Sequence, residues 1–235
     1  MLRTLLKAAW LLVVRRKGIR GFYDAFARDY DTLVGGQPQA AIAAGFLAEY
    51  LASKAPLHRM LELGCGTGLF TQRLLGLAEE LHAVDLSGGQ ISQARLRVPQ
   101  ALLAQADVRE LPYPDASFDA VVSFEVLPHF PLQERAFFAE AHRVLAPGGL
   151  LMVDPAWTLS TSPEDHARRS PTPGVTLRLA LLRLTRIQTW VEVPTANELL
   201  GILEDVGFEI DGSAPAGRQR AFLIARKRHG LTRPQ

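Results

Sequence analysis

The sequence predicts an α/β fold: a doubly wound, mostly parallel sheet of seven strands with helices on both faces. Three observations predict it. Short apolar runs alternate with segments of helical periodicity from Arg59 to Val153, and such alternation implies parallel pairing through crossover helices. A glycine-rich turn, Gly64-Cys65-Gly66-Thr67-Gly68, follows the first apolar run directly, where such sheets bring a ligand against the backbone. Three acids, Glu62, Asp85 and Asp107, lie at the ends of three successive strands, on the carboxyl edge of the sheet.

Each element has its own signal. In Met1–Val14, Leu2, Leu5, Leu6, Ala9, Leu12 and Val13 recur at helical spacing and give one apolar face, with Arg15-Arg16-Lys17 following. The preferred reading is a helix packed on its own domain or on a second subunit. The alternative is a peripheral helix lying on a membrane surface, its cations facing anionic lipid. The apolar stretch is short for a signal peptide and no small-x-small cleavage site follows it.

Pro38 to Ser53 carries Ile42, Phe46, Leu47, Tyr50 and Leu51 at helical spacing and ends before Pro56. Arg59–Leu63 reads as the first strand, Leu69–Ala78 as a helix, Leu81–Asp85 as the second strand and Gly88–Arg97 as a helix. Ala101–Gln105 is the third strand. Phe118–Phe124 is the fourth, announced by the turn residues Pro112-Tyr113-Pro114-Asp115. A helix over Leu132–Leu145 stops at Pro147-Gly148-Gly149, and Leu150–Val153 is the fifth strand.

The stretch 155–193 breaks the rhythm with Pro155, Pro163, Pro171 and Pro173, and reads as a lid inserted over the mouth of the sheet. Thr195 with Glu198 forms a capping-box pattern for a helix that runs to Val206 and stops at Gly207. Phe208–Ile210 and Arg220–Ala225 supply the last two strands. The chain thus divides into an N-terminal segment, 1–37, and a main domain, 38–235, with the lid inside it.

Composition bounds the function. The 235 residues are 48% hydrophobic and 21% charged, the balance of a globular protein with a real core. A net charge of +2 gives no argument for nucleic acid, and no nucleic-acid partner is expected. The cationic runs, including Arg226-Lys227-Arg228, read as solvated faces. Cys65 is the one cysteine, so an intramolecular disulfide is excluded, a cysteine-based metal site is unsupported and a reducing, cytoplasmic setting is expected. No apolar run approaches the ~20 residues that span a bilayer.

The glycine turn has the spacing Gly-x-Gly-x-Gly, with Glu62 two residues ahead of it. An acid there would repel the pyrophosphate of a dinucleotide but suits a ligand that carries an amino group and a sulfonium. Asp85 sits where such folds place the carboxylate that accepts ribose hydroxyls. Asp107 follows the third strand, where a carboxylate takes the exocyclic amine of an adenine while Val108 offers its backbone N–H. Singly, each acid reads equally well as a strand-end or cap residue; in series they point to a nucleoside.

Leu61-Glu62-Leu63-Gly64-Cys65-Gly66-Thr67-Gly68, Val84-Asp85-Leu86-Ser87, Ala106-Asp107 with Leu111-Pro112-Tyr113, Ser117-Phe118-Asp119 and Arg143-Val144-Leu145-Ala146-Pro147-Gly148-Gly149 together resemble the class I S-adenosylmethionine-dependent methyltransferases, whose fold is Rossmann-like. The similarity is strongest to the broad group of small-molecule and ubiquinone/menaquinone-pathway enzymes. Tyr23-Asp24-Ala25-Phe26-Ala27 with Tyr30-Asp31 resembles the family's N-terminal helix, which folds over the cofactor. The resemblance implies S-adenosyl-L-methionine as cofactor, no metal, and contacts from Tyr30, Glu62, Gly64, Cys65, Gly66, Gly68, Asp85, Leu86, Asp107, Val108, Ser123 and Phe124. Two positions depart from the pattern: Gln90 stands where the family often has an apolar residue, usually methionine, and Pro128 interrupts Val126-Leu127-Pro128-His129.

A sulfonium methyl is already electrophilic, so the protein chiefly has to align the nucleophile; a hydroxyl or acidic-carbon acceptor would also need a base. His129 is the best-placed candidate, with a structural hydrogen bond as its alternative role; Asp154 and His166 follow. Cys65 reads as a packing residue. The lid carries Trp157, Leu177, Leu181, Leu182 and Trp190 among arginines, which suits a small apolar acceptor and O- or C-methylation. The competing readings are a non-catalytic S-adenosylmethionine-binding subunit of a complex and a protein or RNA methyltransferase.

Overall fold

The computed structural model describes residues 18–34, 45–51, 54, 56–127, 133–154, 196–215 and 221–229. The N-terminal helix expected over Met1–Val14, the lid 155–193, Pro128, His129 and His166 lie outside the described residues.

Helices α1 (Gly18–Phe26) and α2 (Tyr30–Val34) come first, and 45–51 is helical. Then follow β1 (Leu57–Leu63), α3 (Thr71–Leu74), β2 (Ala78–Asp85), α4 (Gly88–Arg97), β3 (Leu102–Gln105), β4 (Phe118–Phe124), α5 (Glu134–Val144), β5 (Leu145–Asp154), α6 (Ala196–Val206), β6 (Phe208–Pro215) and β7 (Ala221–Lys227). The seven strands form one sheet in the order β3-β2-β1-β4-β5-β7-β6. Pairs from β3 to β5 are parallel, and β7 runs antiparallel between β5 and β6.

The order explains where a ligand can sit. The chain runs outward from β1 through β2 to β3, then returns to place β4 on the other side of β1. Doubly wound sheets open a crevice at that reversal, beyond the carboxyl ends of the strands. The registers Leu63↔Val84 and Leu63↔Ser123 bring the ends of β1, β2 and β4 level there.

Strand side chains alternate between faces, and the core divides accordingly. Leu61, Leu63 and Val121 join Phe137, Phe138, Leu199, Leu203 and Phe208 beneath α5 and α6. Met60, Ala120 and Val122 join Leu47, Phe70, Leu74, Ala94 and Val98 on the other side. β4 is buried on both faces, which is why its sequence is a continuous apolar run rather than an alternating one.

The structure corrects three boundaries. The helix expected over Leu69–Ala78 is only Thr71–Leu74, because Leu75 leaves the helical path at ψ 131° and Gly76 follows at φ +83°, so β2 begins at Ala78. α5 ends at Val144, with Leu145 already extended, and Pro147-Gly148-Gly149 falls inside β5 at a register shift against β4 rather than ahead of the strand. The last two strands are longer than expected because they pair with each other from Phe208↔Lys227 to Pro215↔Ala221.

The cationic run near the C-terminus is not simply a solvated face. The Lys227 ammonium donates to the carbonyls of His142 and Leu145, each at 2.7 Å, and so caps the end of α5, where unpaired carbonyls and the helix dipole favour a cation. Arg226 donates to Asp211 at 2.8 Å and to the Gly148 carbonyl at 3.1 Å. Lys227→Met should therefore lower the unfolding free energy by about 1–3 kcal/mol in urea titrations, whereas replacing the exposed neighbour Arg228 should change it by less than about 0.5 kcal/mol.

Candidate functional site

The glycine turn is set by one carbonyl. Gly64 N–H and Cys65 N–H both donate to Val84 O, at 2.8 and 3.0 Å, which folds the chain back over the end of β2. Gly64 holds φ +75°, and a Cβ there would lie 2.2 Å from Val126 Cγ2, so only glycine lets the turn touch the segment after β4. Gly66 N–H donates to Asp85 Oδ2 at 2.9 Å, and Ser87 N–H to Asp85 Oδ1 at 2.8 Å. Each Asp85 oxygen is thereby fixed with further acceptor capacity left. Burial pushes its carboxyl above the usual carboxylate range.

Beside Asp85 stands Glu62, 1% exposed. Burial raises its carboxyl to about 8, with the neighbouring Thr71 hydroxyl opposing the shift and the charge of Asp85 adding to it. Buried polar atoms without a hydrogen-bond partner occur, among the described residues, on Glu62 (Oε2), Thr71 (Oγ1) and Gln90 (Oε1 and Nε2). Unpaired buried groups of this kind each cost about 1–3 kcal/mol. Glu62 and Gln90 line the same cleft, so the cost falls where a ligand could relieve it.

The N-terminal helices cover this cleft and are tied to the turns beneath them. Asp24 accepts the Ser87 hydroxyl at 2.6 Å and Gly89 N–H at 3.0 Å. Asp31 accepts the Thr67 hydroxyl at 2.6 Å and the Arg97 guanidinium at 2.5 Å, and Arg97 also donates to Thr67 O at 2.8 Å. Ile19, Arg20, Tyr23 and Tyr30 thereby form one wall. Phe70 stacks on Phe124, centroids 4.8 Å apart and rings 17° from parallel, to form another. The cleft has an empty volume of about 860 Å³, including space open to solvent.

Of the residues expected at the cofactor, the structure brings Tyr30, Glu62, Gly64, Cys65, Gly66, Asp85, Leu86, Val108 and Phe124 to the cleft lining. Gly68, Asp107 and Ser123 are not in that lining. Gly68 faces α4, where a Cβ would come 3.1 Å from Val98 Cγ2. Ser123 is fully buried and donates its hydroxyl to Leu63 O at 3.3 Å. The Asp107 carboxylate is held by Arg109 through Nε at 2.8 Å and a terminal nitrogen at 2.5 Å, which keeps it below the usual carboxylate range. Asp154, a candidate base, is wholly buried and lies outside the lining.

Ile19, Arg20, Tyr23, Thr67, Leu69, Phe70, Ser87, Gln90, Glu125 and Val126 complete the lining and are not among the contacts that the sequence implies. Thr67 and Ser87 lay inside quoted motifs, so position could have found them. Phe70 and Val126 read as ordinary apolar positions, and nothing in their pattern marks the cleft. Glu125 adopts φ +57°, uncommon for a residue with a side chain, at the point where the chain leaves β4. Two glycine replacements separate close approach from backbone preference. Gly64→Ala and Gly76→Ala both force alanine to positive φ, costing about 1–2 kcal/mol, but a Cβ at Gly76 meets nothing within 4 Å. Gly64→Ala should therefore be the more destabilising of the two in denaturant melts, and equal losses would remove the argument for contact with Val126.

Comparison with known proteins agrees with this geometry. Residues 61–153 match the methyltransferase domain family model. A probable S-adenosylmethionine-dependent methyltransferase of Mycobacterium tuberculosis is 35% identical over 159 residues, covering 67% of this chain and 51% of that protein. A malonyl-acyl-carrier-protein O-methyltransferase of Geobacter sulfurreducens is 34% identical over 143 residues, covering 59% and 52%. The chain spans about half the length of these curated relatives. Among solved structures, the 4+2 cyclase SpnF superposes with a TM-score of 0.65 at 20% identity, over 90% of this chain and 96% of that one, a likeness of fold alone. Residues 61–153 are a methyltransferase domain, and the relatives that share it are S-adenosylmethionine-dependent methyltransferases.

Proposed function

We propose that this chain transfers the methyl group of S-adenosylmethionine to a small, apolar acceptor, at oxygen or carbon. The observation that carries the cofactor half is the buried Glu62 carboxyl, unpartnered at one oxygen beside the glycine turn. A cationic ligand is what would complete it. When bound, the cofactor supplies an electrophilic methyl on a sulfonium. Glu62 would hold the ammonium, the backbone of Gly64, Cys65 and Gly66 would border the methionine part, and Asp85 would accept from the ribose hydroxyls. Val108 would offer its N–H to the adenine, with Leu86, Tyr30 and Phe124 as apolar walls and Gly68 and Ser123 supporting from behind.

The acceptor half is supported by the lining itself. Ile19, Leu69, Phe70, Phe124 and Val126 give the cleft an apolar share beside its polar groups, against which an apolar acceptor would lose little. A relative whose name states O-methylation is consistent with transfer to oxygen. His129 stays the candidate base for a hydroxyl or acidic-carbon acceptor. Peripheral membrane contact through the N-terminal segment is part of the same proposal; among the described residues no helix is long and apolar enough to cross a membrane.

Calorimetry with S-adenosylmethionine tests the cofactor half. Wild type should bind, and Asp85→Ala should weaken binding by about tenfold or more; no heat at high micromolar ligand would sink the reading. Release of S-adenosylhomocysteine from a pool of hydroxylated lipids, quinols and phenols tests the acceptor half, and binding without turnover would favour a cofactor-binding subunit instead.

The raised Glu62 carboxyl adds a pH signature. With a value of about 8, Glu62 is mostly neutral at pH 6–7, and a bound ammonium or sulfonium favours its carboxylate, so binding should release a proton. Affinity should rise between pH 6 and 7 by up to about tenfold, and Glu62→Gln should flatten that dependence. The ligand-free protein should lose stability as pH rises from about 4.5 toward 8, because the unfolded chain surrenders this proton first.

A further inference from the structure

We infer that Gln90 is a side-chain hydrogen-bonding group for the adenosyl half of the cofactor, a role that rests on the reading of the cleft as an S-adenosylmethionine site. Gln90 occupies the first turn of α4, where its backbone N–H donates to the Ser87 hydroxyl oxygen at 3.1 Å. Its side chain is 1% exposed, lines the cleft, and has no partner for either Oε1 or Nε2. Oε1 lies 3.9 Å from where a Cβ on Gly66 would be, which places the carboxamide beside the turn whose N–H binds Asp85.

The surrounding polar side chains already hold partners, and the capacity they keep is that of acceptors. Asp85 accepts from Gly66 and Ser87, the Ser87 hydroxyl donates to Asp24, and Asp107 is held by Arg109. Gln90 keeps its full capacity, two donors and an acceptor. Buried side-chain polar atoms are rarely left without any partner, so the position makes sense when a ligand supplies both kinds of group. Ribose hydroxyls and the adenine edge each both donate and accept, which a carboxamide can match and a lone carboxylate cannot. Gln90 would thus share adenosyl recognition with Asp85.

Gln90→Met replaces the amide by an apolar chain of similar length. Binding is measured by calorimetry with S-adenosylhomocysteine and with 5′-methylthioadenosine, which keeps the adenosyl half and lacks the amino acid. The variant should bind both about 10- to 100-fold more weakly, while the ligand-free melting temperature holds or rises because two unpaired buried groups are gone. A purely structural role would move the melting temperature down instead. Unchanged affinity for both ligands overturns the assignment, as does a loss seen for S-adenosylhomocysteine alone. Failure of wild type to bind either ligand overturns the cofactor reading first. Should Gln90→Met not fold, Gln90→Leu carries the same expectations.

Discussion

Two N–H groups on one carbonyl, Gly64 and Cys65 on Val84 O, hold the turn on which the rest of the site depends. That pairing places the chain leaving β1 across the end of β2, at the point where the sheet reverses its strand order. Gly64 then approaches Val126, Gly66 reaches Asp85, and Gly68 packs on α4. One turn thus connects β1, β2, α4 and the segment after β4. The covering helices attach to the same turn through Thr67 and to the next one through Ser87, so the cleft has its floor and its cover fixed by the same short stretch of chain.

The electrostatics of the cleft follow from this packing. Glu62 ends in a fully buried position because β1 is an interior strand, flanked by β2 and β4. Asp85 is fixed by two backbone N–H groups but gains no counter-charge from them. Both carboxyls are raised, mainly by burial, which is the state expected of acids that wait for a cation or for hydroxyl donors. Asp107 shows the opposite case. Arg109 holds it through its backbone and guanidinium N–H groups, and its carboxyl is lowered.

Much of the fold was legible in the chain. The strand runs Phe118–Phe124 and Leu150–Val153, the helix Gly88–Arg97 and the glycine turn follow from local periodicity and from residues with restricted backbone choices. The boundaries that moved did so through long-range pairing. Leu145–Gly149 joins β5 because it lies against β4, and β6 and β7 lengthen because each is the other's partner. Lys227 looked like one of a solvated run because nothing local reveals that its ammonium reaches the end of α5.

By itself the sequence pointed to the methyl donor, through the spacing of Glu62, Gly64, Gly66 and Gly68 around one turn, the acids after the next strands, and the motifs that resemble S-adenosylmethionine-dependent methyltransferases. Spacing along a strand or turn is a local property, and the backbone enforces it. Only the tertiary structure decided which polar groups reach the cleft and which are consumed before it: Ser123 goes to Leu63 O, and the Gln90 carboxamide to no partner among the described residues. That outcome depends on which donors and acceptors packing brings within about 3 Å, and residues far apart in sequence settle it.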